Sequence, residues 1–175
     1  MLSFKKFIEE SKEYKAQEGE SEVLHHLSPY KFAGTDFRPL SHFGTANASR
    51  DLVRNRKMSG DLGTGDEVHH HAVRIKLGKV AHLPDFEGDH TPHDLNNMLL
   101  RAGHITQQQH QQNKVLKGDL TFKHVAKSLR KNGIHTLSYE NVFEDPGSTS
   151  YMITHHSQVR PLRSSKGAAR VNPNK

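Results

Sequence analysis

The stretch that decides the fold runs from Gly133 to Leu162 and reads GIHTLSYENVFEDPGSTSYMITHHSQVRPL. Asn132-Gly133 closes a preceding helix, because glycine accepts the left-handed conformation in which helices end. Ile134 to Glu140 then reads as a strand, and Ser150 to Thr154 as a second one. Pro146-Gly147 reverses the chain between them. The first strand delivers Tyr139, Glu140, Asn141 and Glu144 toward this turn, and Tyr151 returns on the second. Strand alternation places residues 140 and 144 on one face if the strand stays regular that far.

Upstream, Thr121 to Lys131 is a helix with Phe122, Val125 and Leu129 inward. A polar helix precedes it, ThrGlnGlnGlnHisGlnGlnAsnLys at 106–114, and reads as a solvated face. Thr91-Pro92-His93-Asp94 starts another with a cap residue, proline at the first position and an acid in the first turn. That helix runs through Leu95, Met98, Leu99 and Leu100 to Gly103. Val68 to Leu77 alternates as a strand, with Val73, Ile75 and Leu77 on one face. Lys57 to Glu67 is a Gly-rich loop. Thr45 caps a helix through Ala46, Ala48, Leu52 and Val53. Val23 to Leu27 is a short strand closed by Ser28-Pro29, and residues 2–17 form an amphipathic helix. Strands flank a helical middle, so the class is α+β.

Composition bounds the rest. At 175 residues the chain fits one domain with tails. Leu, Ile, Val and Phe supply 39 of the 175 residues, so the core is small. With no cysteine, the chain has no disulfide framework, thiol nucleophile or thiolate metal site. No apolar run suits a membrane span, and the start MLSFKKFIEESK lacks the apolar stretch of a secretory signal. The expectation is a cytoplasmic protein with no membrane contact. The formal charge is +6, and residues 160–175 hold Arg160, Arg163, Lys166, Arg170 and Lys175 with no acid. This end reads as a disordered basic tail over 163–175, either a solvated terminus or an anchor to phosphates. The organisation is thus an extension over 1–19, a domain over 20–162 and the tail.

Fifteen histidines invite a metal reading, most of all His69-His70-His71. On a strand, residues 69 and 71 face one side and 70 the other, and no nearby carboxylate completes a tetrahedral set. No metal is expected. Neither a nucleophile elbow nor a Walker-type phosphate loop occurs.

Three segments carry more information together. They are His26-Leu27-Ser28-Pro29 at a strand end, His42-Phe43-Gly44-Thr45 opening a helix, and Gly133 to Val159. In this order they resemble the ADP-ribosyltransferase family. The likeness is greatest to its bacterial and phage branch, which has a His-Gly-Ser-Pro strand end and a His-Phe-Gly-Thr motif. Its last motif reads roughly Gly-x-Asp-Gly-Ile-x-Tyr-x-Asn-x-x-Glu, then a Gly/Ser turn and Ser-Tyr-Ile-Val. The resemblance covers about residues 23–162 and implies a split, curved antiparallel sheet with flanking helices, binding NAD as co-substrate. It also implies delivery to a host cytoplasm or a virion if the chain is phage-encoded.

What the resemblance implies for the residues is specific. His26 and Ser28 bind NAD ribose, and Phe43 and Tyr151 line the nicotinamide pocket. Glu144 is the catalytic carboxylate, with Glu140 as the alternative. His42, Gly44, Thr45 and Asn141 support the cofactor site. The chain departs from the pattern at Leu27 (usually Gly), at Gly133-Ile134-His135-Thr136, and at Ser150, which stands where poly(ADP-ribose) polymerases carry Glu. The implied activity is transfer of ADP-ribose from NAD to a macromolecule. The rivals are an NAD glycohydrolase and a non-catalytic protein that holds nucleic acid through its basic tail. The acceptor, protein or nucleic acid, is not legible. The Glu-x-Glu of arginine-directed transferases is missing.

Overall fold

A computed structural model describes residues 15–28, 37–60, 68–84, 91–162 and the two-residue strand at 169–170. The strands are β1 (Leu24–Ser28), β2 (His42–Phe43), β3 (His69–Ile75), β4 (Val80–Leu83), β5 (Thr136–Glu140), β6 (Thr149–Ile153), β7 (Val159–Pro161) and β8 (Ala169–Arg170). The helices are α1 (Ala46–Met58), α2 (Pro92–Arg101), α3 (Gln107–Lys114) and α4 (Asp119–Lys131). The class is α+β, as the sequence indicates.

Two sheets form. One has β3 at its centre, antiparallel to β1, β7 and β8. The other runs β2-β6-β5-β4, antiparallel except for the β4–β5 pair. That parallel pair follows from connectivity, since α2, α3 and α4 form the crossover that parallel neighbours require. Helices cover one face of the second sheet, where Leu95, Leu99, Val125 and Leu129 pack on Leu137 and Met152. A separate core of Leu24, Phe37, Phe43, Val73, Ile75, Ile153 and Val159 lies between the sheets. The layers are therefore α2–α4, sheet, sheet, with α1 packed on β1 of the first sheet through Val53, Leu27 and Val68. A reciprocal backbone bridge ties the two sheets: His25 N–H donates to the Gly44 carbonyl at 2.7 Å and Gly44 N–H to the His25 carbonyl at 3.0 Å. No helix among the described residues is long and apolar enough to cross a membrane.

The helix starts form as their sequences dictate. Thr91 and Asp94 make a reciprocal capping box with Pro92 inside it, and Thr106 with Gln109 makes another. Thr45 caps α1 by accepting the Ala48 N–H at 3.0 Å.

Several expectations need correction. α3 is not simply a solvated face: Asn113 and His110 are buried, and the Asn113 amide donates to Asn96 Oδ1 at 3.0 Å inside the α2–α3 contact. The expected helix over 2–17 lies outside the described residues except 15–17, which are not helical. Ala169–Arg170 pairs with β3 where disorder was expected, although the rest of the tail lies outside the described residues. Arg160 is not a free tail cation. It sits on β7 and makes a two-point contact with Glu20, at 2.7 and 2.6 Å.

Candidate functional site

The three segments singled out in the sequence meet where the two sheets join. His26 on β1 donates its Nδ1–H to the His42 carbonyl at 2.7 Å. A carbonyl only accepts, so this contact fixes the tautomer and leaves Nε2 as the acceptor in the neutral ring. The ring lies 5.3 Å from that of Phe43 and meets Phe37 edge-on. Burial pushes the His26 pKa down, and the Arg56 charge on α1 adds to this. Ser28 closes β1, buried and opposite His69.

His42 is exposed and its Nδ1 lies 2.8 Å from the Tyr139 hydroxyl. This contact joins the second segment to the third. Phe43 pairs in register with Tyr151 on β6. The two rings differ in access: Phe43 has 0% exposure and packs between the sheets, whereas Tyr151 is half-buried. Burial, with Glu22 nearby, raises the Tyr151 pKa. Phe43 therefore backs the site and presents no open face.

Gly44 is explained by close approach. A Cβ built there would lie 2.6 Å from the Ser150 hydroxyl oxygen. Ser150 is buried, and its hydroxyl accepts from the Asn141 amide at 2.9 Å; that amide also reaches Ser148 at 2.8 Å. Asn141 thus braces the base of the 141–148 loop, and its backbone N–H bonds the Ser148 carbonyl. Ser150, the departure from the polymerase pattern, is a packing and hydrogen-bonding residue under Gly44.

The Glu140/Glu144 expectation is corrected in its geometry. β5 ends at Glu140, which is exposed opposite Thr149, and the chain then bends through 142–145. Asp145 takes a left-handed φ of 53°. Strand alternation therefore does not relate residues 140 and 144. Glu144 is half-buried within the bend.

Sequence reasoning missed Asp145. The Thr45 hydroxyl donates to its carboxylate at 2.5 Å while accepting the Ala48 N–H. α1 has no acid of its own in its first turn. Asp145 supplies that negative charge from another strand's loop, at the positive end of the helix dipole. The available signal was Thr45 as a cap with no local acid, but nothing in the sequence gives the partner 100 positions away.

The histidine tract is a buried polar seam. His25 Nδ1 lies 2.7 Å from His70 Nε2, with ring centroids 4.8 Å apart. The rings of His26 and His71, opposite each other in register, are 6.2 Å apart. Burial lowers the pKa of His25 and His71 to about 4 and that of His70 well below its usual value. Among the described residues no group of three or more His, Asp or Glu could hold a metal ion.

No protein-family model, curated protein or solved structure matches the chain. What the structure itself defines is an α+β protein with two sheets and a polar, aromatic junction between them.

Proposed function

We propose that the chain transfers ADP-ribose from NAD to a macromolecular acceptor and releases nicotinamide, on an ADP-ribosyltransferase-like fold. The observation that carries this reading is convergence. Segments 26–28, 42–45 and 139–151 are joined by the His26–His42, His42–Tyr139, Phe43–Tyr151 and Thr45–Asp145 contacts. They are the segments on which the family resemblance rests.

The chemistry fits these residue types. The bond between the ribose anomeric carbon and the nicotinamide nitrogen breaks, and its electron pair passes to the positively charged ring, which leaves neutral. The acceptor's nucleophile bonds to the anomeric carbon and gives up its proton. Positive charge builds on the ribose as the first bond opens, as in glycoside cleavage. A fixed carboxylate beside that charge stabilises the transition state. Glu144 takes this role. His26 Nε2, kept as an acceptor, receives a ribose hydroxyl, with Ser28 beside it on the strand. Tyr151 offers its ring to the nicotinamide and Phe43 holds that ring from behind.

The test measures nicotinamide released from NAD by the wild type, Glu144→Gln and Glu140→Gln. Glu144→Gln keeps size and hydrogen-bonding reach but loses the charge, and slows release roughly 100- to 1,000-fold, about 3–4 kcal/mol. NAD affinity changes much less, because the ground-state ribose is uncharged. A full-rate Glu144→Gln beside a slow Glu140→Gln moves the role to Glu140. No release by the wild type defeats the proposal. ADP-ribose ending on water, with none on any target, makes the protein a glycohydrolase.

A further inference from the structure

The helical layer carries a charge imbalance that the near-neutral total of residues 1–159 hides. Residues 91–135 contain seven Lys and Arg and two acids, Asp94 and Asp119. Both acids are engaged: Asp94 in the α2 capping box and Asp119 with Arg38 at 3.2 Å. Arg130 turns inward to the Thr154 carbonyl. The five lysines, Lys114, Lys117, Lys123, Lys127 and Lys131, are all exposed. No side-chain hydrogen bond or ion pair joins any of them to a described residue.

Their placement is regular. Lys123, Lys127 and Lys131 follow i, i+4, i+8 spacing, so they form one rail of about 12 Å along α4. The rail lies opposite the buried side of the helix, where Thr121, Val125, Ala126, Ser128 and Leu129 face the core. α3 runs antiparallel beside α4, since Gln109 near its start bonds Asn132 near the end of α4 at 3.1 Å. Lys114, at the end of α3, and Lys117, in the α3–α4 connection, therefore lie near the N-terminal end of α4.

We propose that this lysine face of α3 and α4 docks the phosphate backbone of duplex nucleic acid, without sequence readout. Evenly spaced point charges whose one neighbouring acid, Asp119 at the i−4 position of the rail, is paired with Arg38 at 3.2 Å suit phosphates along a strand, and Lys contacts position without reading bases. A membrane surface fits less well. A helix that lies on lipid buries a continuous apolar face there. The inward apolar residues of α4 are committed to Leu137, Met152 and the α2 leucines, and the exposed Val115 and Leu120 stand at the α3–α4 connection without forming a stripe along the helix. An acidic protein also fits less well, because lysine is depleted at protein–protein interfaces, where aromatic residues and Arg anchor. Single strands call for exposed stacking rings, and α4 presents none fully: its one ring among Phe, Tyr and Trp, Phe122, is partly buried against the core. The inference stands independently of the NAD reading.

The test measures binding of the full chain to short duplex DNA and duplex RNA by fluorescence anisotropy across a salt series. Five lysines neutralise at most five phosphates, so log K against log salt on DNA has a slope no steeper than about −4.5. The Lys123→Gln/Lys127→Gln/Lys131→Gln triple variant, checked by circular dichroism, reduces that slope by about 2.7 and weakens binding roughly tenfold or more at low salt. The corresponding Lys→Arg triple variant keeps the affinity. Equal affinity of wild type and a folded Gln triple variant overturns the proposal. So does loss of all binding on truncation after Leu162, which leaves the lysine face intact. Binding to phosphatidylserine vesicles or to single strands in place of duplex overturns it as well.

Discussion

At Gly44 the backbone leaves no room for a side chain, and the consequence is measurable. Gly44→Ala puts a methyl group 2.6 Å from the Ser150 hydroxyl oxygen, under a strand bridge that joins both sheets. Overpacking of this kind costs about 1–3 kcal/mol. Ser150→Ala removes the obstructing oxygen, so Gly44→Ala in that background destabilises less, as a double-mutant cycle in urea will show. Non-additivity is the signature; strict additivity would mean that Gly44 matters for another reason. Thr45 and Asp145 form a second coupled pair. Loss of a cap hydroxyl costs about 0.5–2 kcal/mol, and Asp145→Asn keeps an acceptor while removing the charge at the α1 N-terminus. Thr45→Ala and Asp145→Ala therefore add to less than their sum. At this scale much was legible: His26, His42, Tyr139 and Asn141 announced themselves by type and order. The partner of each was not, because contacts across 16 to 100 positions depend on strand register that no local pattern encodes.

The β1–β3 pair makes stability depend on acid. His25, His26, His70 and His71 all have pKa values lowered by burial. The unfolded chain takes up protons near pH 6.5 that the native pair refuses, so this contribution is complete above pH 6.5 and is lost as pH falls toward 4. Each such group steepens the decline by up to about 1.4 kcal/mol per pH unit. Glu20 behaves in the same direction but lower down. The Arg160 hydrogen bond holds its pKa at about 2 against 4.5 when free, so its contribution is complete above 4.5 and fades toward 2. Urea midpoints measured from pH 7.5 to 4.5 should thus fall through the histidine window first. His71→Gln should flatten that fall by one proton's worth; an unchanged slope would mean that His71 is accessible in the native state. The strands whose patterns were strong, β1, β3, β5 and β6, were legible in the sequence to within two residues at most ends. β2, β4 and β7 were not. They are two to four residues long, and β4 and β7 take their definition from β5 and β3, to which they pair.

The whole molecule closes at its C-terminal side through β7, and truncation can locate where the fold ends. Val159 and Leu162 are buried at 5% and 2% exposure, and Arg160 binds Glu20, drawing the segment before β1 onto the first sheet. The α+β class was readable from strands flanking helices. The inclusion of Arg160 in that closure was not, because its charge matched the basic run after it and its acid lies 140 positions away. Ending the chain after Leu162 removes Arg163, Lys166, Arg170 and Lys175 together with the two-residue β8. Among the described residues one short backbone pairing leaves with them, so the expected loss is about 1 kcal/mol or less, a Tm decrease of roughly 2–4 °C for a chain of this size. Ending it after Gln158 instead strips β7 from β3, uncovers Ile75 and Val73, and leaves Glu20 without its guanidinium. Burial of Val and Leu side chains is worth about 1.5–3 kcal/mol each, and domains of this kind hold only about 5–15 kcal/mol in total. The shorter chain should therefore melt at least 10 °C lower or fail to fold, as thermal circular dichroism will show. Equal melting of the two truncations would mean that β7 is ornamental to the sheet, and that the fold closes at β6.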